Sequence, residues 1–114
     1  MLDHLRAIIL LPALFAAPCI AAEELIATAR YASGEPVPYI LNAAGAAPKY
    51  VVILFPGGTG IVDPRLENGV LVYGFKGNFL VRSRKFIVDE EFATVTTNTS
   101  HSPERIQALL DDLK

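Results

Sequence analysis

Six consecutive apolar residues, Tyr50-Val51-Val52-Ile53-Leu54-Phe55, run directly into Pro56-Gly57-Gly58-Thr59-Gly60. A run this short, rich in β-branched and aromatic side chains, is too brief for an ordinary helix. It predicts a strand buried on both faces, as in a parallel sheet. Pro56 has no N–H to give a ladder, so the strand should end there. The glycines then let the backbone turn sharply and leave its N–H groups without side-chain cover. Bare amides at the end of a buried strand are a place where an anionic oxygen can be held.

The elements around this stretch follow from local chemistry. Leu25 to Tyr31 reads as a first strand, and Ser33-Gly34-Glu35-Pro36 as a turn, since Gly34 tolerates positive φ and Pro36 fixes the φ that follows. Val37 to Leu41 reads as a second strand. Pro38 interrupts it and so predicts an edge position. The two strands predict an antiparallel hairpin, and the alanine- and glycine-rich Asn42–Pro48 a loop. Asp63-Pro64 and Asn68-Gly69 are turn signals, with a small strand over Val70–Tyr73. Asn78 is placed to cap a helix over 79–90, with Phe79, Leu80, Phe86 and Ile87 on one stripe. Phe92–Thr97 predicts a further strand, more polar than Tyr50–Phe55. Ser102-Pro103 is an N-cap followed by proline at the first helical position, and Ile106, Leu109, Leu110 and Leu113 fall at i, i+3, i+4 and i+7. From Tyr50 onward the order is strand, helix, strand, helix, the pattern of parallel strands joined by right-handed crossovers.

The first 22 residues have a different character. Met1–Arg6 carries one positive side chain beside Asp3, Ala7–Ile20 is apolar throughout, and Ala21-Ala22 precedes Glu23-Glu24. This is the layout of a secretory signal peptide, with cleavage expected after Ala21 or Ala22. The apolar run is shorter than the roughly 20 residues that span a bilayer. Cys19 follows Ala16-Ala17-Pro18, a poor context for lipid attachment. The expected domains are therefore 1–22, a signal peptide, and 23–114, one small α/β domain of 92 residues. A chain of that size buries only somewhat more than about 60% of its unfolded surface. With Cys19 removed it has no disulfide to add support. The net charge of −2 offers no basic surface for nucleic acid.

Several chemistry-bearing patterns fail on spacing. Gly58-Thr59-Gly60-Ile61-Val62-Asp63 opens like a dinucleotide fingerprint, but Asp63 stands at the third glycine and would repel a pyrophosphate. Gly69 and Gly74 have phosphate-loop spacing, yet Phe75 occupies the place of the lysine. His101 is the one histidine after residue 22, too few ligands for a zinc site. Ser100-His101-Ser102 lacks a third group and reads as a polar loop ending in a helix cap. Asp89-Glu90-Glu91 reads as a solvated charge run at a helix end. Asn98-Thr99-Ser100 matches an N-glycosylation acceptor, which matters only in a eukaryotic secretory pathway. No cofactor and no metal site is expected.

The run from Arg30 through Gly60, followed by Gly77-Asn78-Phe79-Leu80-Val81-Arg82-Ser83-Arg84, resembles the N-terminal part of secreted or periplasmic bacterial α/β-hydrolase-type proteins. The resemblance spans roughly residues 25–114. It implies an opening β-hairpin followed by β-α-β-α units of a partial α/β-hydrolase-like sheet. It also implies that the glycine-rich loop supplies an oxyanion-hole N–H, at Gly57, Gly58 and Thr59. The nucleophile motif Gly-x-Ser-x-Gly does not occur: Ser33 lies in Tyr-Ala-Ser-Gly-Glu and Ser83 in Val-Arg-Ser-Arg-Lys. The expectation is a truncated exported chain, an ester or acyl hydrolase if completed, and inactive alone. Its implied partner is a small acyl substrate, with the membrane met only during export. Two other readings stay open: a small exported module that holds an anion without catalysis, and a protein that associates through an exposed sheet edge.

Overall fold

The computed structural model describes residues 23–45, 47–98 and 102–114. The expected signal segment, and Thr99, Ser100 and His101, lie outside the described residues. The hairpin predicted from the Ser33–Pro36 turn chemistry is present, as β1 (Glu23–Arg30) and β2 (Pro36–Ala43) in antiparallel register from Glu23↔Ala43 to Arg30↔Pro36. Gly34 takes φ 91°, and the turn closes with the Tyr31 N–H donating to the Glu35 carbonyl at 3.0 Å.

The remaining elements are β3 (Tyr50–Leu54), β4 (Arg65–Glu67), β5 (Val70–Val72), α1 (Phe79–Ser83), β6 (Phe92–Thr96) and α2 (Pro103–Asp112). Four strands form one mixed sheet in the order β1-β2-β6-β3, making this a mixed α/β fold. β6 runs antiparallel to β2, with Ile40 opposite Thr96, and parallel to β3, from Tyr50↔Phe92 to Leu54↔Thr96. β4 and β5 form a separate two-stranded hairpin across Asn68-Gly69, whose φ of 51° and 78° suit a mirror-image tight turn.

This strand order corrects two expectations. β3 is an edge strand rather than one buried on both faces: Tyr50 and Val51 are 55% and 41% exposed. The crossover from β3 brings the chain back between β3 and β2, so the more polar β6 takes the centre, with Ala93, Thr94, Val95 and Thr96 fully buried. β2 is correspondingly interior, although it contains Pro38. The β2–β6 ladder covers only Ile40–Asn42, so Pro38 falls beyond it. Its carbonyl there accepts from the Thr97 hydroxyl at 3.3 Å.

The expected helix over 79–90 is the third correction. Asn78 caps it as predicted, its side chain accepting from the N–H groups of Leu80 (2.9 Å) and Val81 (3.3 Å). Yet α1 has five residues and stops at Ser83. Arg84 turns its guanidinium back onto the Val81 carbonyl at 2.8 Å, satisfying a carbonyl that a longer helix would have bonded. The chain then leaves in turns, and Phe86 is 90% exposed instead of lying on a buried stripe. Asp89-Glu90-Glu91 therefore lies at no helix end. It leads into β6, with the Asp89 carboxylate accepting from the N–H groups of Glu91 and Phe92.

α2 begins as predicted, with the Ser102 hydroxyl accepting from the Arg105 N–H and Pro103 in the first turn. It lies on one sheet face over β1 and β2, where Leu109 meets Ala29, Val37, Tyr39 and Val95. Ile40, Val62 and Val81 form a second core cluster that includes α1.

Candidate functional site

β1, β6 and β3 run in one direction, as the antiparallel β1–β2 and β2–β6 ladders and the parallel β3–β6 ladder require. Their carboxyl ends therefore share one end of the sheet, the usual ligand-binding end of such layered sheets. The glycine loop after β3 lies there. Gly57, Gly58 and Thr59 are exposed, and Gly58 and Gly60 take φ of 69° and 53°. Among the described residues, no loop, turn or cap hydrogen bond uses the N–H of Gly57, Gly58 or Thr59. Three consecutive amides are thus presented to solvent by a chain segment whose next residues are firmly held.

That hold comes from Asn98, just beyond β6. Its side-chain oxygen accepts from the N–H groups of Val62 and Asp63, both at 2.8 Å. This fixes Asp63 at φ 41° and ties the loop after β3 to the loop after β6. A second brace crosses from residues 74–75. The Gly74 N–H donates to the Val62 carbonyl at 2.7 Å, and a Cβ at Gly74 would lie 2.9 Å from the Ile61 carbonyl oxygen. Phe75 is held at φ 60°, an unfavourable conformation for an aromatic residue. Its ring tip lies 3.7 Å from where a Gly58 Cβ would be. The sequence located the loop but not these braces. Asn98 stands 35 and 36 residues from the amides it bonds, and in sequence it reads only as a glycosylation acceptor. Phe75 stood out only for lacking a phosphate-loop lysine.

Nucleophile–base chemistry does not converge on the loop among the described residues. Ser33 sits in the β1–β2 turn, Ser83 ends α1 and Ser102 caps α2. A groove of about 910 Å³ lies at the same end of the sheet but on the β1 side. Arg30, Tyr31, Ser33, Glu104, Gln107 and Asp111 contribute to its walls, and no residue of the glycine loop does. Tyr31 is held there by Arg105, whose Nε donates to the phenol oxygen at 3.1 Å.

The strongest electrostatic cluster is at the opposite end, where β1 starts. Glu24 grips the buried Arg84 with both carboxylate oxygens, accepting from Nε at 3.0 Å and Nη2 at 3.2 Å. Asn42 donates to the same carboxylate at 2.7 Å, and Lys85 approaches it at 3.6 Å. Arg84 lies over the Tyr73 ring, 4.5 Å from its centre. Burial alone would push the Glu24 carboxyl up, but the Asn42 and Arg84 bonds and the neighbouring cations together hold it below the usual carboxylate value. Burial would likewise lower the Arg84 value, and its bonds to Glu24 and Tyr73 raise it instead. Every guanidinium nitrogen is engaged, so this cluster fastens α1 and Tyr73 to β1. On the other face, burial and the nearby Asp112 carboxylate push the Tyr39 phenol up, its hydroxyl donating to Asp112 at 2.7 Å.

Among the described residues no helix is long and apolar enough to cross a membrane, and no group of three metal-ligating side chains converges. Comparison with protein-family models, with curated proteins and with solved structures finds no match for this chain.

Proposed function

We propose that residues 23–114 are the oxyanion-binding part of an exported α/β-hydrolase-type protein, periplasmic or secreted, acting on esters or similar acyl substrates. The observation that carries this reading is the set of exposed amides of Gly57, Gly58 and Thr59 at the carboxyl end of β3. Their position after an opening hairpin and at a parallel strand pair agrees with the succession that the resemblance implies. In such a site the amides stabilise the negative charge that develops on a carbonyl oxygen under attack. The 114 residues contain no Gly-x-Ser-x-Gly, so the nucleophile comes from a further segment or partner chain. For export, the supporting feature is the apolar run Ala7–Ile20; cleavage after Ala21 or Ala22 leaves every residue of β1 in place.

The test is a titration with acetate and with inorganic phosphate, followed through the amide resonances of residues 57–60. Saturable shifts confined to that loop are expected, and they disappear in Thr59→Pro, which removes one N–H. No hydrolysis of activated short-chain esters is expected from the purified chain. Absence of any loop response to either anion overturns the reading. Saturable anion binding that persists when a nucleophile-bearing segment is supplied without hydrolysis favours the non-catalytic anion-binding module.

A further inference from the structure

We infer that the outer edge of β1 is a self-association surface, on which a second copy of this chain adds its own β1 antiparallel to form one continuous sheet. Among the described residues β1 pairs only with β2, leaving eight residues of edge open. Hydrogen bonding within the hairpin fixes which groups face outward. The Tyr31 N–H points inward to the Glu35 carbonyl, and alternation then turns the N–H and C=O groups of Glu24, Ile26, Thr28 and Arg30 away from β2. An open edge of this length, with Leu25-Ile26-Ala27-Thr28 at its middle and Leu25 45% exposed, is a template for another strand.

Charge selects the occupant and its direction. The edge is acidic at its start, with the exposed Glu23, since Glu24 is already taken up by Arg84, and basic at its finish, with Arg30 and with Arg105 held against Tyr31. A parallel neighbour of the same sequence sets like against like. An antiparallel copy sets acid against base at both ends, and a two-fold axis through Ala27 makes the contact self-complementary. In that register Glu23 lies opposite Tyr31 of the second copy and so beside its Arg105, Glu24 opposite Arg30, Ile26 opposite Thr28, and Ala27 opposite itself. All four outward residues then pair, giving about eight backbone hydrogen bonds between the copies. The other edge offers no such selection: β3 is five residues long and carries no charge. This surface lies at the far edge of the sheet from the glycine loop and stands independently of the proposed function.

The test uses the chain in the form the cell accumulates, carrying Cys19→Ser wherever residues 1–22 remain. Sedimentation should give a concentration-dependent dimer. Glu23→Lys, at an exposed position, should raise its dissociation constant about tenfold, since the approach of residue 23 to Arg105 of the second copy occurs twice and becomes like-charged. Cysteine trapping reads the register even if the charge variant folds poorly. In a non-hydrogen-bonded antiparallel pair the Cα atoms lie about 4.5 Å apart, within disulfide reach. Ala27→Cys should therefore cross-link the dimer under a mild oxidant, and Thr28→Cys should not. A monomer at all accessible concentrations overturns the inference. So does equal cross-linking at both positions, or cross-linking at Val52→Cys but not at Ala27→Cys, which would put the contact on β3.

Discussion

β3 and β6 are parallel neighbours of equal length, and their compositions point the opposite way from their positions. β3 is Tyr-Val-Val-Ile-Leu and lies at the edge with Tyr50 and Val51 largely in water; β6 is Phe-Ala-Thr-Val-Thr and lies in the middle with four of its five residues fully buried. Burial here is set by the connection and not by the strand's own hydrophobicity. The return from β3 through α1 inserts β6 against β2, and whatever side chains β6 carries must be accommodated. Thr94 is tolerated because a local partner exists: its hydroxyl donates to the Arg84 carbonyl at 3.0 Å. The threonine just beyond the strand, Thr97, similarly reaches the Pro38 carbonyl.

The largest effect that separates the two strands is a buried charge. Val95→Asp places a carboxylate at a fully buried position with no cation beside it. The penalty of several kcal/mol is a large share of the 5–15 kcal/mol typical of a whole domain, so the chain should not fold. Val51→Asp, at the exposed edge, should cost about 1 kcal/mol or less. Urea unfolding followed by far-ultraviolet circular dichroism measures both. Comparable loss in the two variants would mean that β3 is covered in solution and that the contrast between the strands is false.

A smaller effect tests what holds the cover on β6. Arg84 contributes the carbonyl that Thr94 bonds, and Glu24 holds Arg84 in place. Glu24→Gln leaves a buried guanidinium without its anion. Fully buried pairs lose about 3–5 kcal/mol when broken this way, and the partial exposure of Glu24 reduces the expected loss to about 2 kcal/mol. The pH dependence has a definite sign. The folded carboxyl titrates below its ordinary value of 4.5, so its contribution is complete above that pH and is lost as pH falls through the lower, folded value. Stability curves of the parent and of Glu24→Gln should therefore converge on acidification. Curves that stay parallel below pH 4.5 would show that the ion pair adds nothing to the fold.

What the sequence revealed and what it concealed divide along the same line. The hairpin and α2 were legible because their determinants are local: Ser33-Gly34-Glu35-Pro36 makes its own turn, and Ser102-Pro103 caps its own helix. The Asn78 cap was legible for the same reason. Strand order was not, because nothing in Tyr50–Phe55 records that β6 will return on one side of it only. The length of α1 was hidden too, since Arg84 ends it by reaching Val81 and, across 60 residues, Glu24. At the candidate site the glycines gave the location of the loop. The Asn98 clamp and the constrained Phe75 depend on contacts between distant segments and left no readable signal.

The finest test compares two threonines of β6 that differ in one respect. Thr94 and Thr96 alternate onto the same sheet face and are both fully buried. The Thr94 hydroxyl has the Arg84 carbonyl, while the Thr96 hydroxyl has no hydrogen-bond partner among the described residues. Valine replaces threonine with the same branching and a similar volume, so the substitution mainly subtracts a hydroxyl. Thr94→Val removes a made bond and should destabilise by about 1 kcal/mol. Thr96→Val removes a polar group whose desolvation is uncompensated, and should stabilise by about 1 kcal/mol. Opposite signs of the change in urea midpoint would show that β6 is polar only where α1 and its flanking turn supply acceptors. Destabilisation by both would mean that Thr96 finds a bond in solution, and that the polarity of the central strand is matched along its whole length.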